Sequence, residues 1–309
     1  NADQLLNHNM LLLLSVGLLM LARLSFDKAE RQAELAALAA ILTFVIPVII
    51  RKSGRLRNLY WLYGAAGFGL LAVVFVAGSI THGAKLSITV YGITLQPSEL
   101  VKVLFVFFVA GMLHEAVDFK RIVLTSALAA AHVLLLVVSK DLGAALIFFV
   151  TYLVMLYVAS RQPLYFLGGL LAGSAAAWVA WKLFAHVQTR VLAWSDPFSV
   201  IDKEGYQIAQ SLFAIGTGGW FGLGINQGMP YKIPDFIFSA IAEEMGILFA
   251  LLLIFIYLSS FYMILNIAIV LKDSYYKLVA VGLGTLMIFQ VFLSIGGVTK
   301  FIPSTGVTL

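Results

Sequence analysis

The sequence predicts an all-α integral membrane protein, a polytopic helical bundle of about nine transmembrane helices with a long, partly helical loop on one side. Three observations carry this. First, 61% of the 309 residues are hydrophobic and 11% are charged, against roughly a quarter charged in soluble domains. With a mean hydropathy of +0.99, too little polar surface is left to face water, and lipid must cover much of the chain. Second, the apolar runs are continuous rather than alternating. Backbone in lipid must satisfy its own hydrogen bonds, so these runs are helices and not barrel strands. Third, the charges gather in the connections between runs.

The runs place spans at 10–24, 33–50, 59–79, 98–114, 122–138, 142–160, 164–184, 236–267 and 276–298. The fifth and sixth are separated by Ser139-Lys140-Asp141 alone. The eighth is long, which predicts a tilted or protruding helix. The connection 51–57 holds four cations in seven residues, and the positive-inside rule makes it cytoplasmic. Alternation then puts 80–97, 139–141, 185–235 and 299–309 outside. Segment 80–97 is rich in Gly, Thr and β-branched residues and reads as a short hairpin or extended loop. Segment 185–235 is far longer than an ordinary connection. It carries Trp194, Phe198, Tyr206, Phe213, Trp220 and Phe221, so it reads as folded and half-immersed, with a helical pattern over 204–215. The whole of 1–309 reads as a single transmembrane domain without an internal repeat. No signal peptide is read at the start. The chain stops straight after an apolar segment, and a longer natural protein is expected.

Cysteine is absent, which excludes disulfides, thiolate zinc sites and Cys nucleophiles. The net charge of +5 is spread over short loops, facing membrane lipids; no basic block points to nucleic acid. His8, His82, His114, His132 and His186 are scattered without ligand spacing; His114, near a cytoplasmic end, and His132, within a helix, read as structural.

Charge at bilayer depth costs roughly 2.5–3.5 kcal/mol per residue, so each polar site in these helices needs a reason. In Gln96-Pro97-Ser98-Glu99-Leu100-Val101-Lys102, Pro97 can open a helix, Glu99 suits its first turn, and Lys102 follows on the same face. This is either a structural ion pair or a polar pocket open to the outer leaflet. Asp141 either caps the next helix or joins such a pocket. The glycine-rich run 216–224 lacks the Lys-Ser/Thr and the preceding strand of a phosphate loop. It reads as a bent re-entrant loop in which glycines permit close backbone approach. Asp235 stands where the long loop meets an apolar helix. It is an N-cap, or a general base whose pKa is raised by burial against Phe236 and Phe238. Glu243 and Glu244, further on, call for a Lys or Arg on a neighbouring helix.

Taken in order, these segments resemble the SEDS family, the RodA, FtsW and SpoVE proteins of bacterial elongation, division and sporulation. Gly83-Ala84-Lys85 resembles the family's Gly-Ala-Lys/Arg-Arg-Trp-Ile, and Gln96-Pro97-Ser98-Glu99 its Gln-Pro-Ser-Glu. Asp141-Leu142-Gly143-Ala144-Ala145-Leu146 resembles Gln-Pro-Asp-Leu-Gly-Thr-Ala-Leu. Tyr206-Gln207, Gln210-Ser211-Leu212 and Ala214-Ile215-Gly216 fit the amphipathic loop helix. Asp235-Phe236-Ile237-Phe238, Glu243-Glu244-Met245-Gly246 and Thr305-Gly306 continue the likeness. Leu86-Ser87 stands in place of Arg-Trp, and Ser139-Lys140 in place of Gln-Pro. The stretch from Tyr231 to Asp235 is shorter than usual, and the last helix with its Ser-Tyr-Gly-Gly motif is missing, where the resemblance implies ten helices in the full protein.

The resemblance implies a peptidoglycan glycosyltransferase in the bacterial cytoplasmic membrane, with its active site on the extracytoplasmic side. It would polymerise lipid II onto a nascent glycan strand beside a class B penicillin-binding protein. The family's essential aspartate maps to Asp235, and its motif glutamate and lysine map to Glu99 and Lys102. The polyprenyl pyrophosphate leaving group calls for cations, for which Lys85, Lys102, Lys140, Arg190 and Lys232 are candidates. A divalent ion, Mg2+ or Mn2+, on the pyrophosphate is a further candidate. Gln96, Ser98, Asp141, Gln207 and Gln210 complete the expected substrate contacts. Two other readings are carried: a lipid II transporter, against which no half-repeat or broken midplane helix is apparent, and a non-catalytic scaffold that binds a penicillin-binding protein.

Overall fold

The computed structural model describes residues 4–52, 56–81, 84–90, 93–115, 117–228 and 236–307, with the side chains of those other than 49–56 and 79–95. In chain order the helices are α1 (Gln4–Leu24), α2 (Phe26–Lys52), α3 (Tyr60–Ala77), α4 (Pro97–Leu113), α5 (Phe119–Val138), α6 (Leu142–Ser160) and α7 (Pro163–Leu183). They are followed by α8 (Ala185–Ser195), α9 (Tyr206–Gly218), α10 (Ile237–Val270) and α11 (Ser274–Val298). Eight of the described helices are long and apolar enough to cross a membrane. The 17-residue α4 is the ninth long apolar helix. The protein is therefore a multi-pass helical membrane protein, as its composition requires.

Between α3 and α4 the chain forms three short antiparallel strands, β1 (Ser79–Thr81), β2 (Ala84–Val90) and β3 (Ile93–Leu95), in the order β1-β2-β3. The expected hairpin is thus a small meander, an addition to an otherwise all-α architecture. Its β-branched residues favour the pleated backbone.

The helices fall into two compact units. In the one formed by 55–180 and 264–289, α4 is central. Beyond Lys102 its sequence is apolar all round, and Val101, Phe105, Val106, Phe108 and Val109 are fully buried. Glycines let α3 approach: Gly64 lies against Phe108 and Gly67 against Val101, while Gly111 of α4 lies under Tyr60. His132 is buried among Phe68, Phe105 and Phe108, with Nδ1 on the Leu128 carbonyl at 2.9 Å, which makes it a core histidine. His114 packs on Tyr275.

The other unit comprises 1–54, 181–263 and 290–309. Here Leu13, Val16 and Met20 of α1 pack on Ala240, Ile241 and Leu253 of α10. Asn9 donates to Ser259 Oγ at 3.3 Å. The segment after α11 is strapped onto α8: Arg190 Nη1 donates to the Thr305 carbonyl at 2.9 Å, and Trp194 Nε1 to that of Lys300 at 3.1 Å.

The expectation of one long tilted or protruding helix is corrected by a break. At Gly246 (φ 87°, ψ 165°) α10 leaves helical geometry. A continuous 34-residue helix would be about 51 Å long, well beyond the ~30 Å of bilayer hydrocarbon. Gly246 onward suffices for a span, at about 37 Å. A broken helix, not legible in the sequence, is therefore present. It lies beside the last turn of α1 rather than at mid-span, because Glu244 pairs with Arg23 there.

Candidate functional site

In the unit built on α4, the polar motif folds into one cluster. Gln96 precedes α4 and Pro97 occupies its first turn, where a missing N–H is harmless. Gln96 Nε2 reaches Ser98 Oγ at 3.1 Å. Glu99 Oε2 meets Lys102 Nζ at 2.7 Å one turn on. The pair is lopsided: the lysine side chain is 6% exposed and the glutamate side chain 54%. The carboxylate is thus the wet end of an ammonium that is otherwise drawn into the helices.

Asp141 comes to the same place from α6. It caps that helix, Oδ1 accepting from the Ala144 N–H at 3.0 Å. Burial pushes its carboxyl above the usual aspartate range. The Ala144 N–H opposes the shift, Glu99 adds to it, and Lys102 and the Ser98 hydroxyl hold the charged form. Cap and site, open alternatives in the sequence, are both true of Asp141. Two carboxylates, one buried ammonium, a hydroxyl and an amide make a group that can exchange its internal ion pair for a substrate anion.

Lys140 takes the left-handed position (φ 65°) that ends α5. Its N–H bonds to Val137 O at 3.0 Å and the Asp141 N–H to Leu136 O at 2.9 Å, the two bonds of a Schellman cap. Its side chain is exposed. Lys85 stands on β2 opposite Ile80. Among the described residues no group of three His, Asp or Glu is placed to hold a metal ion.

In the other unit, the glycine-rich run is the re-entrant loop its composition predicts, and its partner is the helix break. Without a break, the N–H groups of Ile247 and Leu248 would bond to the carbonyls of Glu243 and Glu244. Instead the run 219–224 is inserted between them. Leu223 N donates to Glu243 O at 2.9 Å and Gly224 N to Glu244 O at 3.0 Å. Ile247 N donates to Gly219 O at 3.0 Å and Leu248 N to Trp220 O at 3.4 Å. These four backbone groups on either side of the break thus find partners in the plug, which is what a dry environment demands. Gly222 (φ 81°) and Gly246 make the approach possible, since a Cβ on either would run into the opposite backbone.

Glu244 pairs with Arg23 of α1, the basic partner its position called for. Arg23 was not singled out in the sequence. Its signal was a lone cation at the end of an apolar run. Gln207 is exposed on α9 and Gln210 half-buried. Asp235 and Lys232 lie outside the described residues. Phe236, directly after them, is buried with Phe238, Ala242, Ala250 and Val298.

Fold and site together define a multi-pass membrane protein with a charged cluster at its helix ends and a loop plugged into a broken helix. The model of the FtsW, RodA and SpoVE proteins, described as cell cycle protein, matches residues 3–309, and the chain belongs to that family. It is 35% identical over 343 residues to the peptidoglycan glycosyltransferase RodA of Mycobacterium tuberculosis, covering 99% of this chain and 72% of that protein. It is 31% identical over 328 residues to stage V sporulation protein E of Bacillus subtilis, covering 97% and 88%. Among solved structures it superposes with TM-score 0.85 on a chain from a peptidoglycan synthase complex that coordinates polymerisation and crosslinking. That match has 25% identity and covers 99% of this chain and 90% of the other. The RodA of Thermus thermophilus gives TM-score 0.74 at 24% identity, covering 99% and 88%, a likeness of fold.

Proposed function

We infer that the chain carries the activity for which its relatives are named: it is a peptidoglycan glycosyltransferase. It polymerises lipid II into glycan strands on the outer face of the bacterial cytoplasmic membrane. The observation that carries this is the Glu99, Lys102 and Asp141 cluster, an array of charge that a membrane helix bundle does not need for folding.

The 4-hydroxyl of the acceptor GlcNAc attacks the anomeric carbon of the donor. The new glycosidic C–O bond forms as the bond from that carbon to the pyrophosphate oxygen breaks, with inversion. Asp235 takes the hydroxyl proton, and polyprenyl pyrophosphate departs with the electron pair. Lys102 neutralises the charge that develops on it, assisted by Lys85. Glu99 holds Lys102 until the anion arrives, and Ser98 and Gln96 orient the group. Lys140, Arg190, Gln207, Gln210 and Lys232 are assigned to the sugar, peptide and pyrophosphate of the substrates. A divalent cation held mainly by phosphate oxygens fits this donor set: Glu99 and Asp141 would hold it, and it would supply further neutralisation of the leaving group.

The partner is a class B penicillin-binding protein that crosslinks the product; the structural relative in a synthase complex supports this. Polymerisation of fluorescent lipid II by the purified full-length protein, with its partner and beside Asp235→Asn, tests the reading. A lipid II transporter or a scaffold gives no polymer.

A further inference from the structure

The loop helix α9 has two unlike faces. Ile208, Ser211, Ala214 and Gly218 turn inward and are buried. This inward face is held by a dry polar knot. Ser211 Oγ donates to the Val298 carbonyl, at the end of α11, at 2.7 Å and meets Ser239 Oγ of α10 at 2.5 Å. Each hydroxyl has one proton, so both bonds form together when Ser239 donates to Ser211. About two turns further on, Gly218 is pressed so close that a Cβ would run into the Ala242 carbonyl. The outward face is a single row, Tyr206, Gln210, Phe213 and Thr217, one per turn. Tyr206 is 53% exposed and Phe213 47%, and Phe198, 50% exposed, stands against Phe213 with ring centroids 5.9 Å apart. Gln210, half-buried, lies between the two rings of the row.

Rings with an amide between them suit a sugar. The negative face of an aromatic ring takes the C–H face of a pyranose. An amide both donates and accepts, as hydroxyl and acetamido groups require. A phosphate would call for cations, and α9 carries no charged residue. An acyl chain would leave the Gln210 amide unmatched. Tyr206 and Phe213 stand about 10.5 Å apart along the helix axis, close to the length of one disaccharide. We propose that this row is a glycan platform: Tyr206, Gln210 and Phe213, with Phe198 beside them, bind the sugars of the growing strand. The serine knot behind it keeps the platform rigid, so binding orders little protein. The identity of the sugar rests on the polymerase reading.

The test uses the full-length protein in nanodiscs and a fluorescent, peptide-free strand of alternating GlcNAc and MurNAc as the probe. The Kd for this strand is measured for wild type, Tyr206→Ala, Phe213→Ala, Phe213→Leu and Phe213→Tyr. The length of the strands made from lipid II with the penicillin-binding partner is read beside it. Each alanine variant is expected to weaken binding by about tenfold and to shorten the strands. Leucine separates a sugar platform from a membrane seat, since it keeps the apolar contact with lipid but has no ring face. Loss of binding in Phe213→Leu with wild-type binding in Phe213→Tyr supports the proposal. Wild-type binding in Phe213→Leu, or in both alanine variants, overturns it. If the Phe213 variants do not fold, Tyr206→Leu against Tyr206→Phe decides in the same way. A wild type that binds the strand but makes no polymer keeps the platform and overturns the polymerase reading. A wild type that polymerises lipid II without binding the strand overturns the platform alone.

Discussion

Replacing Gly222 with alanine perturbs the plug where it crosses the broken helix. Gly222 has φ 81°, and a Cβ there would lie 2.5 Å from the Glu244 carbonyl carbon and 2.6 Å from the Gly246 nitrogen. A left-handed alanine costs roughly 1–2 kcal/mol by itself. Relieving the clash pulls the plug outward and endangers the bonds from Leu223 N and Gly224 N, each about 1 kcal/mol net. The expected destabilisation is therefore about 3–4 kcal/mol. Gly216 is the control. It lies in α9 with open space where a Cβ would go, so alanine there is expected to be neutral or to stabilise by up to about 1 kcal/mol. Thermal unfolding in detergent, followed by tryptophan fluorescence, compares the two. Gly222→Ala should melt well below wild type and Gly216→Ala at or above it. If Gly222→Ala melts with Gly216→Ala, the plug is not what holds the break together.

Three further predictions concern the cluster and the cap. Glu99→Gln should leave thermal stability within about 1 kcal/mol, since this carboxylate is half exposed, yet cut polymerisation; Lys102→Met should cut it further, by about a hundredfold or more, in a glycan-ladder assay. Because the folded-state pKa of Asp141 is raised, the native state holds a proton that the unfolded state loses first. Its stabilising effect is complete below the ordinary aspartate value, about 3.9, and is lost as pH rises through the folded value. Melting temperature against pH should therefore fall more steeply there for wild type than for Asp141→Asn; parallel curves would contradict the shift. Lys140→Gly should raise stability by about 1 kcal/mol, because glycine suits the left-handed cap, and should lower lipid II affinity if the ammonium binds the headgroup.

The helices were legible because an apolar run of bilayer length has few other uses. All nine expected spans have a counterpart, and the loop helix read at 204–215 appears as Tyr206–Gly218. The cluster was legible in part. Glu99 and Lys102 share a helix, so spacing alone brings them together, whereas Asp141 joins them only through the packing of α4 on α6. The break at Gly246 was hidden because a lone glycine followed by a long apolar run reads as an unbroken helix. Its cause is a set of backbone bonds to residues 20 to 28 positions earlier, and no local pattern reports those. Arg23 escaped notice for a similar reason: its partner Gly228 lies 205 positions further along the chain, and Glu244 further still.

The central claim is that this membrane bundle makes glycan strands with Asp235 as its base. The most direct measurement is polymerisation of fluorescent lipid II by the full-length protein in proteoliposomes with its penicillin-binding partner, with and without Mg2+ or Mn2+, beside Asp235→Asn. Glycan ladders from wild type and none from a folded Asp235→Asn are the predicted result. No ladder from folded wild type under any of these conditions, or a full ladder from Asp235→Asn, would contradict it.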